Sequence, residues 1–160
     1  MADDIGKKAE SLLKDWLDRP NDGYNFDRIP DQMTGFYGSK NIADFILYLY
    51  PNMYYIESKS TWEDRFDFSL ITSTQHDGLL EKSKISGVYG LVSILFASYK
   101  RTFIIDINEI KRLEDSGKHS INITKINKWN FRYCEIQTDN SRTRLYPKYI
   151  GDFDISCLYS

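Results

Sequence analysis

The feature that most constrains the fold is a pair of β-rich runs separated by Pro51 and Asn52. The first run ends near Tyr50 and the second starts near Met53, and both are rich in apolar and aromatic residues. Pro and Asn are common in the turn between two adjacent strands. The pattern therefore predicts a hairpin of two buried, antiparallel strands.

The residues before this hairpin predict a helix and a short strand. Residues 3–17 carry apolar side chains at helical spacing, with Asp3 and Asp4 available as N-terminal caps. The segment that follows is rich in Pro, Gly, Asn and Asp, which favours turns, with one short strand around Tyr24 to Arg28.

After the hairpin, strand-like and helical patterns alternate. Residues 61–73 are interpreted as a polar connector, and Ser73 or Thr74 is expected to cap a helix over residues 75–85. Two strands and a short helix closed by Gly117 follow, and the last forty residues contain two weaker strand-like runs, 131–138 and 143–150. This order predicts a single domain over residues 1–160 of the α/β class, with a mixed sheet flanked by helices.

Charge and hydropathy exclude some classes of protein. The longest apolar run, residues 88–97, is too short for the roughly 20 residues that span a bilayer, so no membrane association is expected. No secretory signal is apparent, and Cys134 and Cys157 lack the spacing of a zinc site, which favours a cytoplasmic protein. The net charge of -2 is unusual for a nucleic-acid-binding protein, but residues 111–148 hold nine basic and four acidic side chains. This basic flank is either a nucleic-acid surface or an ordinary solvated face.

Charged side chains at the end of the second hairpin strand are the strongest candidates for chemistry. Glu57 and Lys59 are two residues apart, so in a strand they point to the same face. Asp44 lies seven residues before Pro51 and Glu57 five after Asn52, which puts the two carboxylates within a pairing step or two across the hairpin.

Two carboxylates at one position are what a hard cation such as Mg²⁺ takes from a protein, with water and phosphate oxygens as its other ligands. A lysine beside them could orient water or stabilise charge on phosphorus. These residues therefore suggest metal-dependent hydrolysis of a phosphodiester. A surface Glu and Lys at an ordinary strand end is the alternative reading.

The wider pattern of Asp44, Glu57-Ser58-Lys59 and a glutamine-led helix at Gln75 resembles the PD-(D/E)xK nucleases, and within them the RecU group of Holliday-junction resolvases of phages and low-GC bacteria. The resemblance covers roughly residues 5–117. It implies a restriction-endonuclease-like αβββαβ core. Beyond Gly117 the match fades, and residues 118–160 are expected to form a strand-containing extension that is a candidate DNA-binding or dimer surface. The basic residues there, including Lys125, Lys128, Arg132, Arg142 and Arg144, are the candidates for DNA contacts.

Carried over to this chain, the resemblance implies that Asp44 and Glu57 bind the metal, with the backbone carbonyl of Ser58 as a further ligand. The metal would be Mg²⁺, for which Mn²⁺ could substitute. Lys59 would be the catalytic lysine. Gln75 would position water or a phosphate, unless it is only a capping side chain.

Two side chains near the motif are weaker candidates. Glu10 matches an acidic position found beside the metal site in this superfamily, or belongs to a solvated helix face. His76 is interpreted as a surface histidine, because the mechanism requires no such base.

The chain departs from the RecU pattern in two places. Ile42 stands where a hydroxyl residue precedes the metal aspartate, so an extra ligand would come from Asn41 or Ser39. The stretch that corresponds to the long basic stalk is short.

The predicted DNA-binding residues are distributed along the chain: Arg28, Lys40, Asn41, Lys82, Lys84, Lys128 and Arg132.

The resemblance implies a Mg²⁺-dependent endonuclease that resolves Holliday junctions or other branched DNA. It also implies a homodimer, since two symmetric cuts require two active sites related by a dyad. For a phage-encoded protein the expected location is the cytoplasm of the bacterial host. The alternatives are a restriction- or repair-type nuclease acting on duplex DNA and a non-catalytic DNA-binding protein of the same fold.

Overall fold

The computed structural model describes residues 4–19, 23–30, 41–139 and 145–159. The helices are α1 (Ile5–Leu17), α2 (Ser73–Ser83) and α3 (Ile107–Asp115), and 3₁₀ helices span Phe68–Leu70, Ala97–Tyr99, Ile123–Lys128 and Ser156–Leu158. The strands are β1 (Tyr24–Arg28), β2 (Phe45–Leu49), β3 (Asn52–Thr61), β4 (Arg65–Asp67), β5 (Val88–Phe96), β6 (Arg101–Asp106), β7 (Ser120–Asn122) and β8 (Cys134–Glu135).

A mixed six-stranded sheet forms the centre, in the order β1-β2-β3-β5-β6-β8. Neighbouring strands are antiparallel except β3 and β5, which are parallel because α2 makes the crossover between them. β4 and β7 form a separate antiparallel ribbon. The predicted mixed sheet flanked by helices is confirmed.

Each face of the sheet buries its own cluster of apolar side chains. One cluster includes Leu79 of α2 and Ile110 of α3, which pack against Val92 of the central strand β5. The other includes Trp16 of α1 and Leu158 of the C-terminal segment 145–159. The sheet is therefore covered by α2 and α3 on one side and by α1 and the C-terminal segment on the other.

The hairpin has the predicted strands. β2 and β3 pair from Phe45 opposite Ile56 to Leu49 opposite Asn52. One step beyond this register, the Asp44 backbone N–H donates a hydrogen bond to the Ile56 carbonyl at 3.1 Å. Asp44 and Glu57 are therefore brought together at the open end of the hairpin.

The helices are confirmed, and Gly117 closes α3 as predicted, in the left-handed conformation just after the C-cap Ser116. The predicted N-terminal caps are not confirmed. Asp4 occupies the N-cap of α1 without a side-chain capping bond, and Asp3 lies outside the described residues. Thr72, rather than Ser73 or Thr74, caps α2. Its Oγ1 accepts a hydrogen bond from the Gln75 backbone N–H at 3.2 Å, and Gln75 Oε1 accepts one from the Thr72 backbone N–H at 3.0 Å. The two side chains thus satisfy each other's backbone N–H groups, which is a capping box.

Two regions differ from the sequence interpretation. The connector over residues 61–73 contains β4, because Arg65–Asp67 finds a partner in β7 far along the chain. Of the two C-terminal runs, the first forms only β8, and the second contributes a single bridge between Thr138 and Tyr149, with residues 143 and 144 outside the described part. The two strand-like runs therefore pair at only a few residues, and Ile136 and Tyr149 bury their side chains without a continuous ladder.

Two further features complete the fold. Cys134 of β8 and Cys157 form a disulfide with their Cα atoms 5.9 Å apart, a pairing that the sequence analysis did not predict. It ties the C-terminal segment to the sheet. Among the described helices, none has both the length and the apolar character needed to cross a membrane.

Candidate active site

The open end of the hairpin gathers the acidic and basic side chains of the predicted motif. Asp44 immediately precedes the first residue of β2. The Ser58 backbone N–H donates to Asp44 Oδ2 at 2.9 Å, which holds the Asp44 carboxylate against β3. Lys59 Nζ lies 3.4 Å from Glu57 Oε2. Asp44 lies across the hairpin from Glu57, close enough for its carboxylate to act on the pKa of Glu57. Asp44, Glu57 and Lys59 thus share one position on the rigid central sheet.

Glu57 is buried, with only 4% of its side chain exposed, whereas 18% of the Lys59 side chain is exposed. Burial disfavours the charged form of Glu57, and the neighbouring Asp44 carboxylate repels a second negative charge. Together they raise the pKa of Glu57 to about 9, although Lys59 acts in the opposite direction. Without a cation, the site therefore holds a proton on Glu57 at neutral pH.

Gln75 connects the site to the first turn of α2. Its Nε2 donates to Glu57 Oε2 at 2.8 Å while its Oε1 accepts the Thr72 backbone N–H. The cap thereby fixes which end of the amide faces Glu57. The two readings of Gln75, capping residue and active-site residue, are both consistent with this geometry, because one amide does both.

Ile42, which replaces the hydroxyl residue of the family pattern, packs against α2. A Cβ added to Gly78 would lie 2.8 Å from Ile42 Cβ, closer than such atoms approach each other in proteins. The glycine therefore allows α2, which carries Gln75, to approach the segment that leads into Asp44. The two parts of the site are held together by this close contact.

Substituting Gly78 by alanine is expected to destabilise the protein by about 1–3 kcal/mol, because overpacking against Ile42 outweighs the roughly 1 kcal/mol that alanine adds in a helix. Urea unfolding measures the effect. Gly6→Ala in α1 is the matched control, since nothing lies within 4 Å of an added Cβ there, and it should be neutral or stabilising. If Gly78→Ala were as neutral or stabilising as Gly6→Ala, that result would contradict the close contact between Gly78 and Ile42.

Other predicted site residues bond with partners outside Asp44, Glu57 and Lys59. The Glu10 side chain is 22% exposed and forms an ion pair with Arg28, with 3.6 Å between Nη2 and Oε2. Arg28 ends β1, and the N–H of the next residue, Ile29, donates to the Asp44 carbonyl at 2.7 Å. The Asn41 amide donates to the Pro30 carbonyl at 2.6 Å, and Ser39 is outside the described residues. His76 bonds with Asp77 at 3.1 Å and with Glu114 at 2.6 Å, and these two acids raise its pKa despite partial burial. It therefore links α2 to α3.

The predicted DNA-binding residues fall into three groups. Arg28, Lys84 and Arg132 have protein partners: Glu10, Glu81 at 3.1 Å, and the Leu158 carbonyl at 3.4 Å. Lys82 lies over the Tyr55 ring, 5.5 Å from its centroid, and Lys128 is exposed. Lys40, Arg142 and Arg144 are outside the described residues.

The carboxylate pair fits a hard divalent cation. In the part of the chain that is described, no group of three or more His, Cys, Asp or Glu side chains has the arrangement of a metal site. The two carboxylates brought together are those of Asp44 and Glu57, and the Ser58 backbone carbonyl stays a prediction as a further ligand. One or two carboxylates with water and substrate oxygens are the ligands typical of Mg²⁺, whereas a structural zinc site needs four protein ligands. Their mutual repulsion is the interaction that such a cation relieves.

Sequence reasoning missed two residues that support the site, Thr72 and Gly78. The signal for Thr72 was present, because Thr72 and Gln75 have the Thr-x-x-Gln spacing of a capping box. Gly78 could not be singled out, since only the fold reveals its contact with Ile42.

Comparison with known proteins supports this picture. No curated protein sequence matches the chain. In fold it is similar to Hjc, a Holliday junction resolvase from the archaeal hyperthermophile Archaeoglobus fulgidus, with a TM-score of 0.52 and 15% sequence identity over 77% of this chain and 93% of that one. The sequence profile of the RecU family, described as Recombination protein U, matches residues 25–145, a range that includes Asp44, Glu57, Lys59 and Gln75. The chain therefore belongs to the recombination protein U family.

Proposed function

We propose that this protein is a metal-dependent endonuclease of the PD-(D/E)xK type that resolves Holliday junctions. The single observation that carries the proposal is that Asp44, Glu57 and Lys59 lie together at the open end of the β2–β3 hairpin in a chain of the RecU family. The similarity of the fold to an archaeal Holliday junction resolvase supports the same substrate.

Each residue has a distinct part in the proposed chemistry. Asp44 and Glu57 hold Mg²⁺, which when bound neutralises phosphate charge and supplies an activated water. Lys59, placed beside Glu57, stabilises the negative charge that develops on the phosphate oxygens. Gln75 keeps Glu57 in place through its hydrogen bond and thus acts as a positioning residue.

The proposed substrate determines the assembly. A four-way junction is resolved by two symmetric cuts, and each subunit supplies one site, so the active form is a homodimer with two-fold symmetry. Size-exclusion chromatography with light scattering measures this directly. A monomer with full resolving activity would contradict the dimer.

The function is tested by comparing cleavage of a labelled four-way junction with cleavage of a linear duplex of the same sequence. With Mg²⁺, the junction should be cut into nicked duplexes while the linear duplex stays intact at the same protein concentration. EDTA should stop the reaction.

Two results would overturn the proposal, each in favour of a different function. Equal rates on both substrates would indicate a restriction- or repair-type nuclease. Binding without cleavage of either substrate, with Mg²⁺ or Mn²⁺ present, would indicate a non-catalytic DNA-binding protein.

A further inference from the structure

The 3₁₀ helix Ile123–Lys128 presents a regular arrangement of side chains. With three residues per turn, residues i and i+3 lie on one face of such a helix. Ile123 and Ile126 are both 3% exposed and point into the core. Lys125 and Lys128 have the same spacing and are both exposed, so they share an outward face.

A third lysine joins this face. Trp129 follows Lys128 directly and packs against the core, and Lys118 Nζ lies 4.7 Å from the centroid of its indole ring. We call Lys118, Lys125 and Lys128 the lysine stripe. None of the three forms an ion pair with another residue in the described ranges, and the nearby acids Glu114 and Asp115 are held by other side chains.

The lysine stripe lies on the same side of the sheet as the proposed active site. Ile123 and Ile126 belong to the cluster that contains Leu79 of α2, and Tyr55, two residues before Glu57, packs against that cluster. The lysines are therefore displayed on the outer surface of the layer that holds Gln75, and not on the side covered by α1.

The distance from the active site suits one arm of DNA. The Ile123 N–H donates to the Asp64 carbonyl at 2.9 Å, and Asp64 is only five residues after Lys59. The path from Lys59 to Lys125 consists of five extended residues to Asp64, the hydrogen bond to Ile123 and two residues of 3₁₀ helix. It puts the backbone of Lys125 at most about 30 Å from that of Lys59. This is less than one turn of duplex, about 34 Å.

We propose that the lysine stripe is a contact surface for the phosphate backbone of a duplex arm that extends from the active site. The inference rests on the proposed function, because it assumes a branched DNA substrate at Lys59. Lysines of this kind contribute affinity and orientation without reading sequence. The lysine stripe keeps Lys128 of the basic residues predicted from the sequence and leaves out Lys84 and Arg132, which have protein partners.

The test is the salt dependence of junction binding, measured by fluorescence anisotropy in EDTA to prevent cleavage. Each phosphate contact contributes about 0.9 to the slope of log affinity against log salt, so Lys125→Ala/Lys128→Ala should have a slope smaller by about 1.8. Over a fourfold rise in salt, the wild type would then lose about 12-fold more affinity than the double variant.

The matched control removes two other lysines. Lys111 is held by Asp115, and Lys148 is exposed on the C-terminal segment that covers the opposite face of the sheet. Lys111→Ala/Lys148→Ala makes the same change in net charge and should keep the wild-type slope.

The possible failures are distinguishable. If the wild type binds junctions and Lys125→Ala/Lys128→Ala has the same salt slope as the wild type, the lysine stripe is not a contact surface. The same conclusion follows if the slope falls by the same amount in both double variants. If the wild type does not bind junctions at all, the proposed function fails as well.

Discussion

Replacing Lys59 by alanine is expected to lower the rate of junction cleavage by about 100- to 1000-fold, the effect of removing one group that stabilises transition-state charge. Its Nζ is 3.4 Å from Glu57 Oε2, and its side chain is only 18% exposed, so the ammonium is held in the site. Junction binding should persist, because the rest of the DNA-contacting surface is unchanged. Single-turnover cleavage and a gel-shift assay on the same preparation measure the two effects.

Two further variants make the Lys59 result interpretable. Lys59→Met keeps most of the apolar stem, so it separates loss of the ammonium from loss of packing. Lys111→Ala on α3 removes a lysine held by Asp115 and should cleave like the wild type. Cleavage at the wild-type rate by both Lys59 variants would remove Lys59 from the chemistry.

Substituting Glu57 by glutamine is expected to stabilise the metal-free protein at neutral and alkaline pH while abolishing cleavage. The pKa of Glu57 is raised from 4.5 to about 9 in the folded protein. Between these values the folded state keeps a proton that the unfolded state has released, so the free energy of unfolding falls as pH rises. The fall is at most about 1.4 kcal/mol per pH unit from this group, and glutamine removes it.

The measurement is urea unfolding in EDTA at several pH values between 5 and 8.5, with wild type and Glu57→Gln compared at each. The difference between them isolates Glu57 from other titrating groups and should grow with pH in favour of the variant. Adding millimolar Mg²⁺ should stabilise the wild type and leave the variant nearly unchanged. A difference that does not depend on pH would mean that Glu57 is not held protonated in the folded protein.

The sequence predicted the central part of the site because its geometry is local. The turn lies at Tyr50 and Pro51, one residue earlier than the predicted Pro51 and Asn52, because Asn52 already pairs with Leu49. Counting outward from either turn brings Asp44 within a pairing step or two of Glu57, and the observed register places them opposite each other. The same face for Glu57 and Lys59 follows from the strand period. These relations span few residues, so no knowledge of the tertiary structure was needed.

The parts that were not predicted depend on contacts between distant residues. β4 is only three residues long and forms because it pairs with β7, which is distant from it in the sequence. The close contact of Gly78 with Ile42 depends on how α2 crosses the sheet. The C-terminal runs looked like strands because they alternate apolar and polar residues, but their apolar side chains reach the core with only two residues paired in β8.

The basic residues show the same limit. A count of charge along residues 111–148 does not distinguish Arg132, which donates to the Leu158 carbonyl, from Lys125 and Lys128, which share an exposed face. Only the 3₁₀ helix aligns the two lysines. Sequence therefore predicted a basic flank, and the fold defines which part of it is available to DNA.

The central claim, that Asp44 and Glu57 together hold the catalytic cation, is tested most directly by anomalous diffraction from crystals soaked in Mn²⁺. The account predicts an anomalous peak within ligand distance of one carboxylate oxygen from each residue, and its loss in crystals of the Glu57→Gln variant. Crystals at millimolar Mn²⁺ with no peak between the two carboxylates, in a preparation that cleaves junctions, would contradict it.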